Sequence, residues 1–292
     1  MPRSEDSMPV PRNEFTETLS MSDQNSLEPV ANLNALYTRI QRCIAHIVVL
    51  DDNEPISIGT GFAFTADGAM LTAAHVIGGW PIKLDEINGK SHQIVAFFVM
   101  QGLQLLYRPA VCPFEIRGVT EKPVQLDMAV LVPIARPNKP IDHLVGSVKP
   151  PRLGDELYFG GYSDEVEFPF TVDRQLSPKT EGLDVFRRAF SSGVKQRAAG
   201  PIIKRGTVGN IVEFRATLGE QHLIGQSVFY LDNQVHSGAS GGPIVSRDGT
   251  VRGIISKRMM TSAGDIIVPA GSTLGVGLEP LLALSTGDPK AA

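Results

Sequence analysis

Apolar residues at Leu33, Leu36, Ile40, Ile44 and Ile47 recur at intervals of three and four, which predicts a short amphipathic helix from Leu33 that gives way to a strand at IAHIVVL. After that the pattern is that of strands. SIGTGFAFTADGAMLTAAHV reads as two strands joined by the Asp67-Gly68 turn, a strong hairpin signal. Further short strands are expected at HQIVAFFVM, LQLLYRPAV, MAVLVPI, DELYFGGY, GTVGNIVEF, HLIGQSVFYL, GPIVSRDGTVRGIISK and STLGVGLEP, separated by Gly and Pro turns rather than by helical stretches. Many short strands with such turns argue for antiparallel barrels or sandwiches rather than a parallel α/β sheet. A proline-rich stretch at 135–154 reads as a linker between two β units of similar size. Residues 163–200 fit neither unit: they are charged with scattered apolar positions, and a loop of that length in a compact fold is usually functional or mobile.

Composition narrows the class. The chain has 292 residues, 42% hydrophobic and 20% charged, the balance of a soluble globular protein with a large core. Residues 1–30 differ, with six acids against two bases and almost no apolar pattern, and read as a disordered acidic leader. Their net charge of −4 equals that of the whole chain, so 25 bases and 25 acids remain elsewhere. That balance gives no electrostatic case for nucleic acid or for an anionic membrane.

The longest strongly apolar run, IVAFFVM, is far too short to cross a bilayer and reads as a buried strand. The leader lacks the basic start and apolar core of a secretory signal. Two cysteines, Cys43 and Cys112, suffice for one bridge, but so few suggest a core independent of disulfides. No Asn-x-Ser/Thr sequon appears, and together these features favour a cytoplasmic protein.

The candidate chemistry centres on HSGASGGPIV at 236–245. Glycine-rich runs are usually turns, and Ser240 becomes a nucleophile only if a base and an orienting acid exist elsewhere. Of six histidines, His46 lies in an apolar run, while His92, His143 and His222 lie among polar neighbours. His236, four residues before Ser240, is better suited to lining a cleft than to acting as base. His75 stands in LTAAHVI, directly after the second hairpin strand, where Ala73 and Ala74 leave room for a tight helical turn. Asp127, in QLDMAVLVPI, opens an apolar strand, an expensive place for a carboxylate without a cationic or hydrogen-bonding partner.

The segments LTAAHV, LDMAVL and GASGGP, in that order, resemble the His, Asp and Ser blocks of the chymotrypsin-like (trypsin-fold) serine proteases, nearest to the bacterial high-temperature-requirement branch and its trypsin-like relatives. The separations of 52 and 113 residues suit a pair of barrels with a crevice between them. The resemblance implies an all-β fold of two six-stranded antiparallel β-barrels with short helices. It divides the chain into the leader 1–30, an N-terminal barrel over 31–145 carrying His75 and Asp127, a C-terminal barrel over 146–284 carrying Ser240 and the long loop 163–200, and a tail 285–292.

It also implies a serine endopeptidase. Ser240 is then the nucleophile, His75 the general base and acid, Asp127 the orienter, and the N–H groups of Gly238 and Ser240 the oxyanion hole. Gln234 and His236, with Ser256, Lys257 and Arg258, would line the substrate cleft, and Ser256 to Arg258 would offer backbone groups to a peptide bound as an added strand. No acid stands at Gln234, so a preference for Lys or Arg is unsupported. Where digestive members carry an aspartate before the nucleophile, this chain has Ala239, so the oxyanion loop needs other supports, the 163–200 segment among them. The chain ends soon after the last strand, and no PDZ domain is expected.

No phosphate loop, His-Glu-x-x-His or paired Cys-x-x-Cys competes, so no cofactor and no metal are expected. The partners expected are a protein or peptide substrate and a regulatory protein. The alternative reading is a non-catalytic or latent protease-like module that binds peptides or partner proteins.

Overall fold

The computed structural model describes residues 32–78, 92–116, 124–165, 197, 199–218 and 221–282. The acidic leader, the tail and residues 166–196 of the long loop lie outside them. Helix α1 (Leu33–Cys43) begins where the Asn32 side chain accepts a hydrogen bond from the Ala35 amide at 2.9 Å. It buries Leu36, Ile40 and Cys43. From Ile44 the chain is extended, because the next six residues are apolar or buried without interruption and serve a strand enclosed on both faces: β1 (Ile44–Asp51).

A turn at Asp52 and Asn53, both in the left-handed region at φ 49° and 67°, returns the chain as β2 (Glu54–Ala63). The Asp67-Gly68 turn follows with Gly68 at φ 92°, then β3 (Met70–Thr72) and the short helix α2 (Ala74–Gly78). Next come β4 (Gln93–Phe98), β5 (Leu103–Val111), a small hairpin of β6 (Phe114–Ile116) and β7 (Val124–Leu126), and β8 (Ala129–Pro133). Strands β1-β2-β3-β8-β5-β4 close into an antiparallel barrel.

The second barrel is built from β9 (Glu156–Gly161), β10 (Ile202–Leu218), β11 (Gln221–Leu231), β12 (Pro243–Ser246), β13 (Val251–Ala263) and β14 (Ile266–Gly277). Its closure runs β10-β11-β14-β13-β12-β9. The fold is therefore two closed six-stranded antiparallel barrels with short helices. Phe159, Phe229, Leu231, Ile244 and Ile255 fill the second barrel, while the core of the first continues across to Tyr158, Val245 and Ile254.

The proline-rich stretch is more than a tether. Ile141 and Leu144 are buried, and their amides bond to Ala66 and Ala63 on the first barrel at 2.9 and 3.0 Å. Gly146 then bridges Val251 of β13. Cys43 and Cys112 are both free, and burial pushes each thiol up to about 12, the Arg39 charge slightly opposing this at Cys43. No helix among the described residues is long and apolar enough to cross a membrane.

Candidate active site

The first barrel supplies two of the three candidate groups from neighbouring strand ends. His75 is in α2, immediately after β3, and the buried Ala73 and Ala74 let that turn sit flush against the barrel. Asp127 lies between β7 and β8, where its two oxygens reach back to α2. His75 Nδ1 is 3.0 Å from Oδ1 and 2.9 Å from Oδ2, and the His75 amide donates to Oδ1 at 3.1 Å.

The side chains are 29% and 15% exposed, so the pair opens to solvent on the histidine side. Burial raises the Asp127 carboxyl, but the hydrogen bond and charge of His75, the Ser256 hydroxyl and the His75 amide outweigh it and hold the group below the usual carboxylate range. An ionised carboxylate has no proton to give. In the neutral imidazole Nδ1 therefore carries the hydrogen, and Nε2 is the acceptor.

Ser256, expected to line the substrate cleft and offer its backbone to a peptide, does more. Its buried hydroxyl donates to Asp127 Oδ2 at 2.5 Å, joining β13 of the second barrel to the carboxylate of the first. Its carbonyl accepts the Ser240 hydroxyl at 3.0 Å. Ser256 thus brings Asp127 and Ser240 together across the barrel boundary. Nothing in the residue string marks that side chain, since Ser256 is one of several polar residues along β13.

The loop before Ser240 is folded tightly. Gly238 has φ 87°, and a Cβ there would meet the Tyr162 carbonyl at 2.9 Å and the Asp164 amide at 3.1 Å. The amides of Ala239, Gly241 and Gly242 donate to His236, Ile255 and Ala239 at 3.3, 2.7 and 3.0 Å. Between them, the amides of Gly238 and Ser240 have no protein acceptor among the described residues. Ala239 is 2% exposed and packs into the second core with Phe159, Val235 and Ile255, which explains why a methyl stands at that position and not an acid.

The residues expected to line the cleft are arranged in two groups. Gln234 is tied to the β14 side through its side-chain oxygen, which accepts from the Gly271 amide at 3.1 Å. His236 and Arg258 face one carboxylate: Glu165 lies 2.5 Å from Arg258 Nη1 and 3.5 Å from His236 Nδ1. Burial raises that carboxyl, but the Arg258 bond and charge, then His236 and the Ser237 amide, keep it below its ordinary value.

Lys257 is exposed and pairs in register with Leu274. On its other side β13 pairs with β12 only as far as Ile254, so the edge at Ser256 to Arg258 faces no partner strand among the described residues. Asp164 and Glu165 stand near the start of the long segment, where no sequence motif marks them.

Residues 59–254 match the trypsin-like peptidase domain family. Among solved structures, Rv3671c from M. tuberculosis H37Rv, as a serine-to-alanine mutant in its inactive form, aligns with a TM-score of 0.50 at 16% identity, covering 90% of this chain and 97% of that one. The inactive form of the Rv3671c protease aligns at 0.48 and 15%, covering 89% and 96%. At these identities the likeness concerns the fold alone. No curated protein sequence matches.

Proposed function

The chain belongs to the trypsin-like peptidases, whose substrates are proteins or peptides, and from that premise we propose that it is a serine endopeptidase acting through His75, Asp127 and Ser240 by way of an acyl-enzyme. The observation that carries the reading is the doubly bonded His75–Asp127 pair, with Ser256 linking the same carboxylate to the Ser240 hydroxyl. In the reaction, Ser240 Oγ attacks the scissile carbonyl carbon as its proton passes to His75 Nε2. The C=O π electrons move onto oxygen, and the N–H groups of Gly238 and Ser240 receive that charge; each such donor is typically worth about 2.7–4 kcal/mol in the transition state.

Collapse breaks the C–N bond, and His75 gives its proton to the departing amine. A water then attacks the ester, His75 takes its proton, and the acid leaves as Ser240 recovers its hydrogen. Asp127 remains ionised throughout and steadies the imidazolium. The peptide is held as an added strand on the open edge at Ser256 to Arg258, with Gln234, His236 and Lys257 around it.

A second reading, a latent or non-catalytic module, is favoured by one bond: the Ser240 hydroxyl donates to the Ser256 carbonyl and not to His75. In an active enzyme that hydroxyl rotates about χ1 when substrate enters, since catalytic hydrogen bonds often tighten only in the complex. A library of quenched fluorescent peptides separates the readings. Cleavage by the wild type that is lost in Ser240→Ala and in His75→Ala supports the endopeptidase; peptide binding without cleavage in all three supports the module.

A further inference from the structure

Three consecutive carbonyls of the loop before the nucleophile are each held by a different donor. Ser237 O accepts from the Asp164 amide at 3.1 Å, Gly238 O from the Thr60 hydroxyl at 2.7 Å, and Ala239 O from the Gly242 amide at 3.0 Å. In a trans peptide the N–H points opposite to its carbonyl. Fixing Ser237 O therefore aims the Gly238 N–H, and fixing Ala239 O aims the Ser240 N–H. The middle bond is the only one of the three made by a side chain, and the only one that comes from the first barrel.

Thr60, in β2, is fully buried. Its hydroxyl donates to Gly238 O and also accepts from the Tyr162 amide at 3.0 Å. Its own amide donates to Ser240 O at 2.9 Å, and its carbonyl accepts the Thr72 hydroxyl at 2.7 Å. Two glycines make room for it: a Cβ on Gly161 would fall 2.5 Å from Thr60 Oγ1, and one on Gly241 would fall 2.1 Å from Thr60 O. The Tyr162 to Asp164 chain that Thr60 holds is the same chain that packs beneath Gly238. One hydroxyl thus supports the loop directly and supports its other brace.

We propose that Thr60 is a positioning residue for the oxyanion hole, its hydroxyl tying the Gly238 carbonyl and the Tyr162–Asp164 chain together across the barrel boundary. The proposal rests on the serine-peptidase reading above. Ala239 has no charge with which to anchor the loop, so neutral hydrogen bonds from both barrels set its shape. The loop is consequently arranged without any freed amino terminus.

The test compares wild type, Thr60→Val, Thr60→Ala, Thr60→Ser and Tyr107→Phe, each with its melting curve. Tyr107→Phe removes a buried hydroxyl-to-carbonyl bond of the same barrel, Tyr107 to Gly68 at 2.9 Å, away from the site. Two quantities are read: the limiting rate and half-saturation of phosphonylation by a fluorophosphonate, and amide hydrogen exchange of peptides spanning Gly238 and Ser240.

The expected result is a limiting rate about tenfold to a hundredfold lower in the Val and Ala variants with half-saturation unchanged, somewhat less than loss of a whole donor. Faster exchange in the loop accompanies it, Thr60→Ser recovers to within about twofold, and Tyr107→Phe keeps the wild-type rate. Folded Val and Ala variants with wild-type rate and exchange would overturn the proposal, as would Thr60→Ser losing as much as Thr60→Val, or Tyr107→Phe slowing equally. If the wild type is not labelled at Ser240, the peptidase reading fails, and unchanged exchange in the variants then separately rejects the positioning role. If neither Val nor Ala folds, Thr60→Ser alone decides: it keeps the hydroxyl, so a slowed rate with loosened exchange refutes the assignment and wild-type values uphold it.

Discussion

Replacing Gly238 by alanine disturbs one methyl's worth of space at the point where the account needs a backbone N–H most. The residue sits at φ 87°, a region that costs an ordinary L-residue about 1–2 kcal/mol. The new Cβ would also lie 2.9 Å from the Tyr162 carbonyl and 3.1 Å from the Asp164 amide, both backbone atoms with little freedom to retreat. Relief comes from rotating the 237–238 peptide, which weakens the Asp164 to Ser237 bond and turns the Gly238 N–H away from the developing oxyanion. Loss of one such donor is worth about 2.7–4 kcal/mol, or about 10²–10³ in rate.

The folding cost, about 1–3 kcal/mol for the strained backbone, corresponds to a fall of roughly 2–6 °C in Tm at this size. The assay is kcat and KM on a cleaved peptide, with differential scanning calorimetry on the same samples. The prediction is kcat down by two to three orders of magnitude with KM little changed and the fold intact. A well-folded Gly238→Ala enzyme of wild-type kcat would refute the oxyanion assignment.

Other expectations follow from the same geometry. Asp127→Asn keeps the shape but reverses the hydrogen-bond demand on Nδ1, so Nε2 ceases to be the acceptor; kcat should fall by on the order of 10⁴ near neutral pH, read from the steady-state pH profile. His46, fully buried beside Phe97 and Tyr162 with neither ring nitrogen bonded among the described residues, has its pKa lowered to about 4, chiefly by burial and then by Arg197. A base depressed in the folded state favours folding above its unfolded value of about 6.5 and loses that contribution as pH falls toward about 4. Urea titrations at pH 7 and pH 4.5 should show wild type losing about 2–3 kcal/mol more than His46→Leu over that interval, and parallel losses would contradict the burial argument.

The alternation of short strands and turns carried the architecture: a hairpin at Asp67-Gly68, the helix-to-strand change at Cys43–Ile44 and the all-β class were legible because each has a local cause. Longer pairing was not. The extension of β13 to Ala263 and β14 back to Ile266 is a hairpin with exposed Met260, Ile266 and Ile267, so no in-out alternation announces it. At the site, His75, Asp127 and Ser240 stood out because their neighbours are small or apolar. Thr60, Asp164 and the Ser256 hydroxyl did not: each matters through a partner 100 or more residues away, or through a backbone group, and spacing along the chain records neither. His92, among polar neighbours in the sequence, is half-buried 3.6 Å from Asp51.

The central claim is that Ser240 is an activated nucleophile. The most direct measurement is reaction of the full chain with a fluorophosphonate probe, beside Ser240→Ala, followed by mass mapping of the adduct. The expected result is stoichiometric labelling on Ser240 that is absent from the variant. A folded wild-type protein that stays unlabelled, or that carries the adduct on another residue, would contradict it.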